Sequence, residues 1–286
     1  MTQSGTTLEV ERWIETTAGP VHLRELGAPT GSPLLFVHGA LVDSHLWDGV
    51  AARAAELGYR CLLPTLPLGS HTRPMKPGAD LNPPALADLA AEVVGQLGLR
   101  QITVVGNDTG GGLSQILTVR HPDLVRTLIL TACDAYEQFP PRSLRAFFAL
   151  GRVPGVLALG GQLMRLRAAR RFAIPRPLSH RGVSDAVITG WTRPLRDRML
   201  RRDTLEFFAG IDASHTLEAA QQLRTFTGGA LLIWGTDDRV FGLDLGRRLA
   251  ADIPGARLEI LDDCGAFVPL DAPDRVAELI DGWMTG

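Results

Sequence analysis

Short apolar runs alternate along the chain with longer segments in which apolar residues recur every three or four positions. The short runs span residues 33–39, 60–67, 102–107, 126–133, 230–235 and 256–263, and runs of this length are typical of buried strands. The periodic segments at 84–97, 245–253 and 272–284 predict helices with one apolar face. Alternation of this kind predicts an α/β fold in which helices flank a mostly parallel sheet.

The alternation stops between residues 137 and 212, which carry several short helical patterns and no convincing strand. We therefore predict a helical cap, residues 137–212, inserted into a sheet domain formed by 1–136 and 213–286. The cap holds fourteen arginines against six acidic residues, a local charge of +8, and the rest of the chain carries −10. We interpret these arginines as facing water or pairing with the sheet domain; attraction of a carboxylate-bearing substrate is the alternative.

Composition and charge limit the partners and cofactors that we expect for this protein. The 286 residues are 45% hydrophobic and carry a net charge of −2, which gives no reason to expect nucleic acid or an anionic membrane as a partner. No uninterrupted apolar run approaches the roughly 20 residues of a membrane span, so we expect a cytoplasmic protein. Three widely spaced cysteines predict neither a disulfide framework nor a zinc site. We expect a small-molecule substrate and neither a metal nor another cofactor, and the oligomeric state stays open.

The stretch VVGNDTGGG at 104–112 joins a predicted strand to a predicted helix. Gly106 and Gly110 flank Asp108 with the spacing of a nucleophile elbow, a strained turn that needs small residues on both sides. A phosphate-binding loop is the alternative, but the spacing is not GxGxxG, and a carboxylate at a helix N-terminus would repel phosphate. The pattern therefore favours Asp108 as a reactive side chain.

Four segments of the chain, in order, resemble the α/β-hydrolase superfamily. They are His38 with Gly39, the elbow at 106–110, WGTDD at 234–238 and CGAFVPLDAPDRVAELI at 264–280. With an aspartate rather than a serine at the elbow, the chain resembles the branch that contains epoxide hydrolases and haloalkane dehalogenases. The resemblance implies an α/β-hydrolase fold with a mostly parallel eight-stranded sheet, flanking helices and an inserted helical cap.

The same resemblance assigns roles to individual residues. Asp108 would be the nucleophile, Asp238 the acid that orients a histidine, and the N–H groups of Thr109 and Ala40 the oxyanion hole. We expect the helix N-terminus to lower the pKa of Asp108, so that its carboxylate attacks carbon without a helper base. The ester that forms would then need an activated water.

The histidine expected to activate that water is replaced. Family members carry Gly-His-Phe after the last strand, whereas this chain has Gly265, Ala266 and Phe267. A positioned general base contributes a factor of about 10² to 10⁴ in rate, so hydrolysis without one should be slow. His71 follows the fourth strand, at the sheet edge where ligands bind, and is a candidate for the base; a loop histidine without a catalytic role is the alternative. A water held by Asp238, Asp134 or His71 could also serve.

Other positions also depart from the relatives. Thr109 stands where haloalkane dehalogenases have tryptophan, Ala40 stands where they commonly have asparagine, and the cap lacks the tyrosines of epoxide hydrolases. Tyr136 could still reach the pocket. We therefore expect His38, Tyr136 and Ala266 to line a substrate site.

Three functions remain open on the sequence. The first is a hydrolase that acts through Asp108 with an atypical or impaired water step. The second is a lyase, isomerase or cyclase in which Asp108 is a general acid or base, and the third is a ligand-binding protein on an enzyme fold. Hydrolysis of a small to medium, largely apolar molecule is the function we favour.

Overall fold

The protein is described by a computed structural model covering residues 9–172 and 178–286. One sheet contains eight strands: β1 (Glu9–Glu15), β2 (Pro20–Leu26), β3 (Pro33–Val37), β4 (Arg60–Thr65), β5 (Ile102–Asp108), β6 (Val125–Cys133), β7 (Gly229–Gly235) and β8 (Arg257–Leu261). Their spatial order is β1-β2-β4-β3-β5-β6-β7-β8. The strands from β4 to β8 in this order pair in parallel, and β1 and β2 pair antiparallel at one edge.

The α/β-hydrolase fold predicted from the sequence is confirmed, and all six predicted strands are present as β3 to β8. The apolar runs were recognisable because β3 to β7 are covered on both faces. The edge strand β1 lacks such a run because most of its residues are exposed and polar. It was therefore missed, together with β2.

Twelve helices accompany the sheet in the described residues: α1 (Asp48–Glu56), α2 (Pro83–Gln96), α3 (Thr109–Arg120), α4 (Arg145–Gly151), α5 (Val156–Leu163), α6 (Arg167–Arg170), α7 (Asp185–Thr192), α8 (Arg198–Gly210), α9 (Ala213–Leu223), α10 (Leu243–Asp252), α11 (Val268–Asp271) and α12 (Pro273–Thr285). The three helices predicted from periodicity are α2, α10 and α12. Two apolar clusters fill the fold, one containing residues of α2 and α3 and the other residues of α1, α10 and α12. The sheet is thus covered by helices on both faces.

Between β6 and β7 the described residues form helices and turns only, α4 to α9 together with two 3₁₀ turns at Arg142–Leu144 and Arg193–Arg196. Helix α9 packs on α3, which places it with the sheet layer. The cap boundaries at 137 and 212 stay a prediction. No single helix in the described ranges is long and apolar enough to cross a membrane; Arg142–Gly151 and Val156–Leu163 meet that test only as a pair bent by 102°.

Candidate active site

Asp108 occupies a strained turn between β5 and α3. Its backbone has φ 54° and ψ −132°, a region that residues with a side chain rarely adopt and that is found at functional sites. A Cβ at Gly106 would overlap Ser114 and the backbone of α3, and one at Gly110 would overlap the backbone of Val37. The two glycines therefore allow α3 to approach β5 and β3 closely enough to form the elbow.

Both predicted oxyanion-hole donors act on the Asp108 carboxylate itself. The Ala40 N–H donates to Oδ2 of Asp108 at 3.1 Å, and the Thr109 N–H also stabilises the charged carboxylate. A Cβ at Gly39 would overlap the same Oδ2 atom. The loop after β3 thus fits closely over one carboxylate oxygen, and glycine at position 39 is required for that fit.

Burial controls the ionisation of Asp108. Desolvation raises its pKa to about 7, the charge of Asp238 adds to the increase, and the N–H groups of Thr109 and Ala40 oppose it. The prediction that the helix N-terminus lowers this pKa is therefore wrong as a net effect, because the cost of burying the charge exceeds the stabilisation by the N–H groups. Near neutral pH the side chain can either carry a proton or release it.

Asp238 follows β7 and keeps one carboxylate oxygen free. Its Oδ1 accepts hydrogen bonds from the N–H groups of Val240 at 2.8 Å and Phe241 at 3.1 Å. Its Oδ2 is buried and has no hydrogen-bond partner in the described parts of the chain. Burial raises the pKa of Asp238. The N–H groups of Phe241 and Val240 and the nearby indole of Trp234 oppose that increase. The side chain is thus fixed by backbone donors on Oδ1.

Asp134 follows β6 and adds a third carboxylate. Its Oδ2 accepts from the Thr109 hydroxyl at 3.1 Å, and its Oδ1 is buried without a partner among the described residues. Burial, followed by the charge of Asp108, raises its pKa well above the ordinary value. Asp108, Asp134 and Asp238 therefore cannot all ionise without a large electrostatic cost. Within 9–172 and 178–286 no cluster of three histidine, cysteine, aspartate or glutamate side chains could hold a metal ion.

The loop after β8 is firmly held around Ala266. This residue is fully buried, and its carbonyl accepts from Nδ2 of Asn107 at 2.9 Å. The Asp271 carboxylate accepts from the Gly265 N–H and from three groups of the segment 179–181. Sequence reasoning missed Asn107 and Asp271. The only available signal for Asn107 was a polar residue between apolar β5 and the elbow.

No histidine takes over as a partner of the three carboxylates in the described chain. His71 is buried, and its Nε2 lies 3.2 Å from Asp203 Oδ2 on α8, while its Nδ1 has no partner in the described residues. Its role as a replacement base stays a prediction. His38 uses both ring nitrogens: Nδ1 donates to the Gly39 carbonyl and Nε2 accepts from the Leu66 N–H, each at 2.9 Å. The ring of His38 thus joins two loops, and its role in binding substrate stays a prediction.

Tyr136 has both its hydroxyl and its ring in contact with helix α10. Its hydroxyl donates to Asp252 at 2.8 Å, and the Arg248 guanidinium lies 3.6 Å from the ring centre. Both partners belong to α10 in the outer helical layer. Burial and the nearby Asp252 carboxylate raise the pKa of this hydroxyl. The polar end of Tyr136 is therefore bound to α10, and its role in lining the substrate site stays a prediction.

Comparison with known proteins identifies the fold family of the chain. A family model described as "alpha/beta hydrolase fold" matches residues 32–273. "Haloalkane dehalogenase 2" of Mycobacterium tuberculosis is 30% identical over 275 residues, covering 94% of this chain and 93% of the relative. Haloalkane dehalogenase DbeA from Bradyrhizobium elkani USDA94 superposes with a TM-score of 0.80 at 21% identity, over 98% of each chain. Carboxylesterase CesB from Bacillus subtilis superposes with a TM-score of 0.76 at 17% identity, over 98% and 92%. The chain belongs to the α/β-hydrolase fold family.

Proposed function

We propose that this protein is a hydrolase in which Asp108 attacks an electrophilic carbon of a small to medium, largely apolar molecule. The observation that carries the proposal is the hydrogen bond from the Ala40 N–H to Oδ2 of Asp108. This bond orients the carboxylate and leaves Oδ1 as the attacking atom. The 30% identical relative is named a haloalkane dehalogenase, which supports an alkyl electrophile as substrate.

The first step would form an ester on Asp108. Oδ1 bonds to the substrate carbon while the bond from that carbon to its leaving group breaks, and the leaving group departs with the electron pair. Oδ2, to which the Ala40 N–H donates, becomes the carbonyl oxygen of the new ester, and we propose the Thr109 N–H as its second donor. The ester is therefore formed with its carbonyl already in the oxyanion hole.

The second step would return the enzyme to its starting state. Water adds to the Asp108 carboxyl carbon and gives up a proton, and the negative charge that develops on Oδ2 is stabilised by the same two N–H groups. The intermediate collapses with cleavage of the ester bond, and the product leaves as an alcohol after taking a proton. An oxyanion hole filled by the nucleophile's own oxygen suits this step, because the charge develops on that oxygen.

Asp238 is the group we propose to accept the proton from water. Its Oδ1 is fixed by the backbone, its Oδ2 accepts no hydrogen bond from the residues that the structure describes, and its charge influences Asp108. A buried carboxylate with a raised pKa is a stronger base than an exposed one. It would work less well than an imidazole, so hydrolysis of the ester should limit turnover.

A lyase, isomerase or cyclase is the second candidate. It is favoured by the pKa of Asp108 at about 7, since general acid–base catalysis is most efficient when the pKa lies near the working pH. Such a reaction would use the oxyanion hole for a substrate oxygen. Oδ2 of Asp108 already occupies the oxyanion hole, so a substrate oxygen would have to displace it. We therefore favour hydrolysis over this second candidate. A pure binding protein would have no need for the strained backbone at Asp108.

Isotope labelling separates the two mechanisms. The enzyme is incubated with 1-iodohexane or 1,2-epoxyhexane in ¹⁸O water, and its intact mass and the mass of the Asp108 peptide are recorded. We expect an alkyl adduct early in the reaction and ¹⁸O in the Asp108 carboxylate after turnover. Asp108→Asn should show neither adduct nor activity, whereas Asp262→Asn at an exposed position should behave like the wild type. Turnover with neither adduct nor label would exclude the nucleophilic role and leave acid–base catalysis.

A further inference from the structure

The first three helices of the cap carry an unusual set of exposed apolar side chains. Of the eleven exposed large hydrophobic residues in the described chain, seven lie between residues 147 and 172: Phe147, Leu150, Val153, Leu159, Leu163, Leu166 and Phe172. We call the segment 142–172 the cationic cap face. Scattered apolar residues are normal on a protein surface, but a concentration of this kind marks an interaction site.

Helix α5 shows that this exposure follows from two apolar faces. Leu157 and Gly161, four residues apart, are buried against the body of the protein, whereas Leu159 and Leu163 are 61% and 47% exposed. Residues two apart along a helix point in nearly opposite directions. A short helix that is apolar on both sides is normally covered on both sides. We therefore expect another molecule to cover the outer side of α5.

The charge of the cationic cap face identifies the kind of partner. Residues 142–172 contain seven arginines and no acidic residue. Arg167 and Arg170 are close to Asp185, whereas Arg142, Arg165 and Arg171 form no ion pair within the described ranges of the chain. The segment therefore presents positive charge next to exposed leucine and phenylalanine side chains.

We infer that the cationic cap face binds peripherally to an anionic lipid bilayer, independently of the proposed hydrolase function. Segments with leucine and phenylalanine on one side and arginine beside them enter the interface between headgroups and acyl chains, and arginines are attracted to anionic headgroups. The net charge of −2 led to the expectation of no membrane partner. Peripheral binding depends instead on the charge next to the apolar side chains, and there the charge is strongly positive.

Two other partners fit the face less well. A symmetric second copy would bring the same seven arginines of each protomer together without an acidic residue between them, and the like charges would repel. Nucleic acid would pair with the arginines but would leave the leucine side chains of α5 in contact with water and phosphate. A bilayer surface matches both the apolar and the cationic groups.

Vesicle co-sedimentation of the full chain tests the proposal. Vesicles of phosphatidylcholine alone are compared with vesicles containing equal amounts of phosphatidylcholine and phosphatidylglycerol, at low and high salt. We expect binding to the anionic vesicles that weakens as salt rises. The double variants Leu159→Ser/Leu163→Ser and Arg165→Glu/Arg171→Glu should each reduce the partition coefficient by about tenfold or more.

Matched controls carry the same chemical changes outside the cap. Ile260→Ser removes an exposed apolar side chain from β8, and Arg100→Glu reverses an exposed charge before β5; both should bind vesicles like the wild type. Circular dichroism and thermal unfolding establish that each variant is folded. Equal binding to both kinds of vesicle, or no vesicle binding by the folded wild type, would overturn the proposal. Self-association that disappears in the cap variants, without vesicle binding, would replace the bilayer by a second copy.

Discussion

Replacing Asp108 by asparagine should stabilise the protein near neutral pH although it removes the proposed nucleophile. The folded-state pKa of Asp108 is raised from 3.8 to about 7, so the folded protein binds this proton more tightly than the unfolded chain. The stability that the proton contributes is fully present below about pH 4. It is lost progressively as the pH rises from about 4, where the unfolded chain ionises, through about 7, where the folded protein ionises as well.

The size of the effect follows from the pKa difference. About three pKa units at 1.36 kcal/mol per unit correspond to about 4 kcal/mol of unfolding free energy between pH 4 and pH 8. Asparagine keeps the shape and an oxygen for the Ala40 N–H, but it places an NH₂ group where a carboxylate oxygen was. We allow about 1 to 2 kcal/mol for that mismatch. The expected net stabilisation at pH 8 is therefore about 2 to 3 kcal/mol.

Urea unfolding of both proteins at pH 5 and pH 8 measures this quantity. Asp134 and Asp238 also have raised pKa values, so both proteins should lose stability as the pH rises. The loss should be smaller in Asp108→Asn, and the exposed control Asp262→Asn should follow the wild type. If Asp108→Asn and the wild type lost the same unfolding free energy between pH 5 and pH 8, the argument that ionised Asp108 destabilises the folded state would be refuted.

Two further substitutions test the site. Ala266→His should increase ester hydrolysis by about 10² to 10⁴, measured in single-turnover assays, and the gain should vanish when Asp238→Asn is added; a folded variant with an unchanged rate would contradict the proposed water step. Gly39→Ala should lower turnover by about 10² or more because its Cβ displaces the Asp108 carboxylate. The matched control Gly95→Ala, where a Cβ meets no atom within 4 Å, should keep full activity.

The sequence was sufficient to predict the fold and the elbow because both depend on local patterns. Buried strands are visible in the sequence as apolar runs. The spacing of Gly106 and Gly110 around Asp108 reflects close contacts between β5, α3 and β3. Contacts between side chains far apart in the chain leave no such pattern in the sequence. Tyr136 bonds to a residue 116 positions later, and no periodicity reveals such a pairing. The pKa of Asp108 was misjudged for a related reason, because burial depends on the whole fold and the helix N-terminus is a local feature.

The surroundings of Ala266 bear on whether the site has been lost or adapted. A site without function would be expected to lose the polar contacts that hold its loops. Here Asn107, adjacent to the proposed nucleophile, donates to the Ala266 carbonyl, and Asp271 ties this loop to the segment 179–181 with hydrogen bonds of 2.7 to 3.0 Å. Asp238 also keeps two backbone donors on one oxygen. The hydrogen bonds that hold the loops around the substituted position, together with the strained backbone of Asp108, therefore support our proposal of a hydrolase that works without the imidazole.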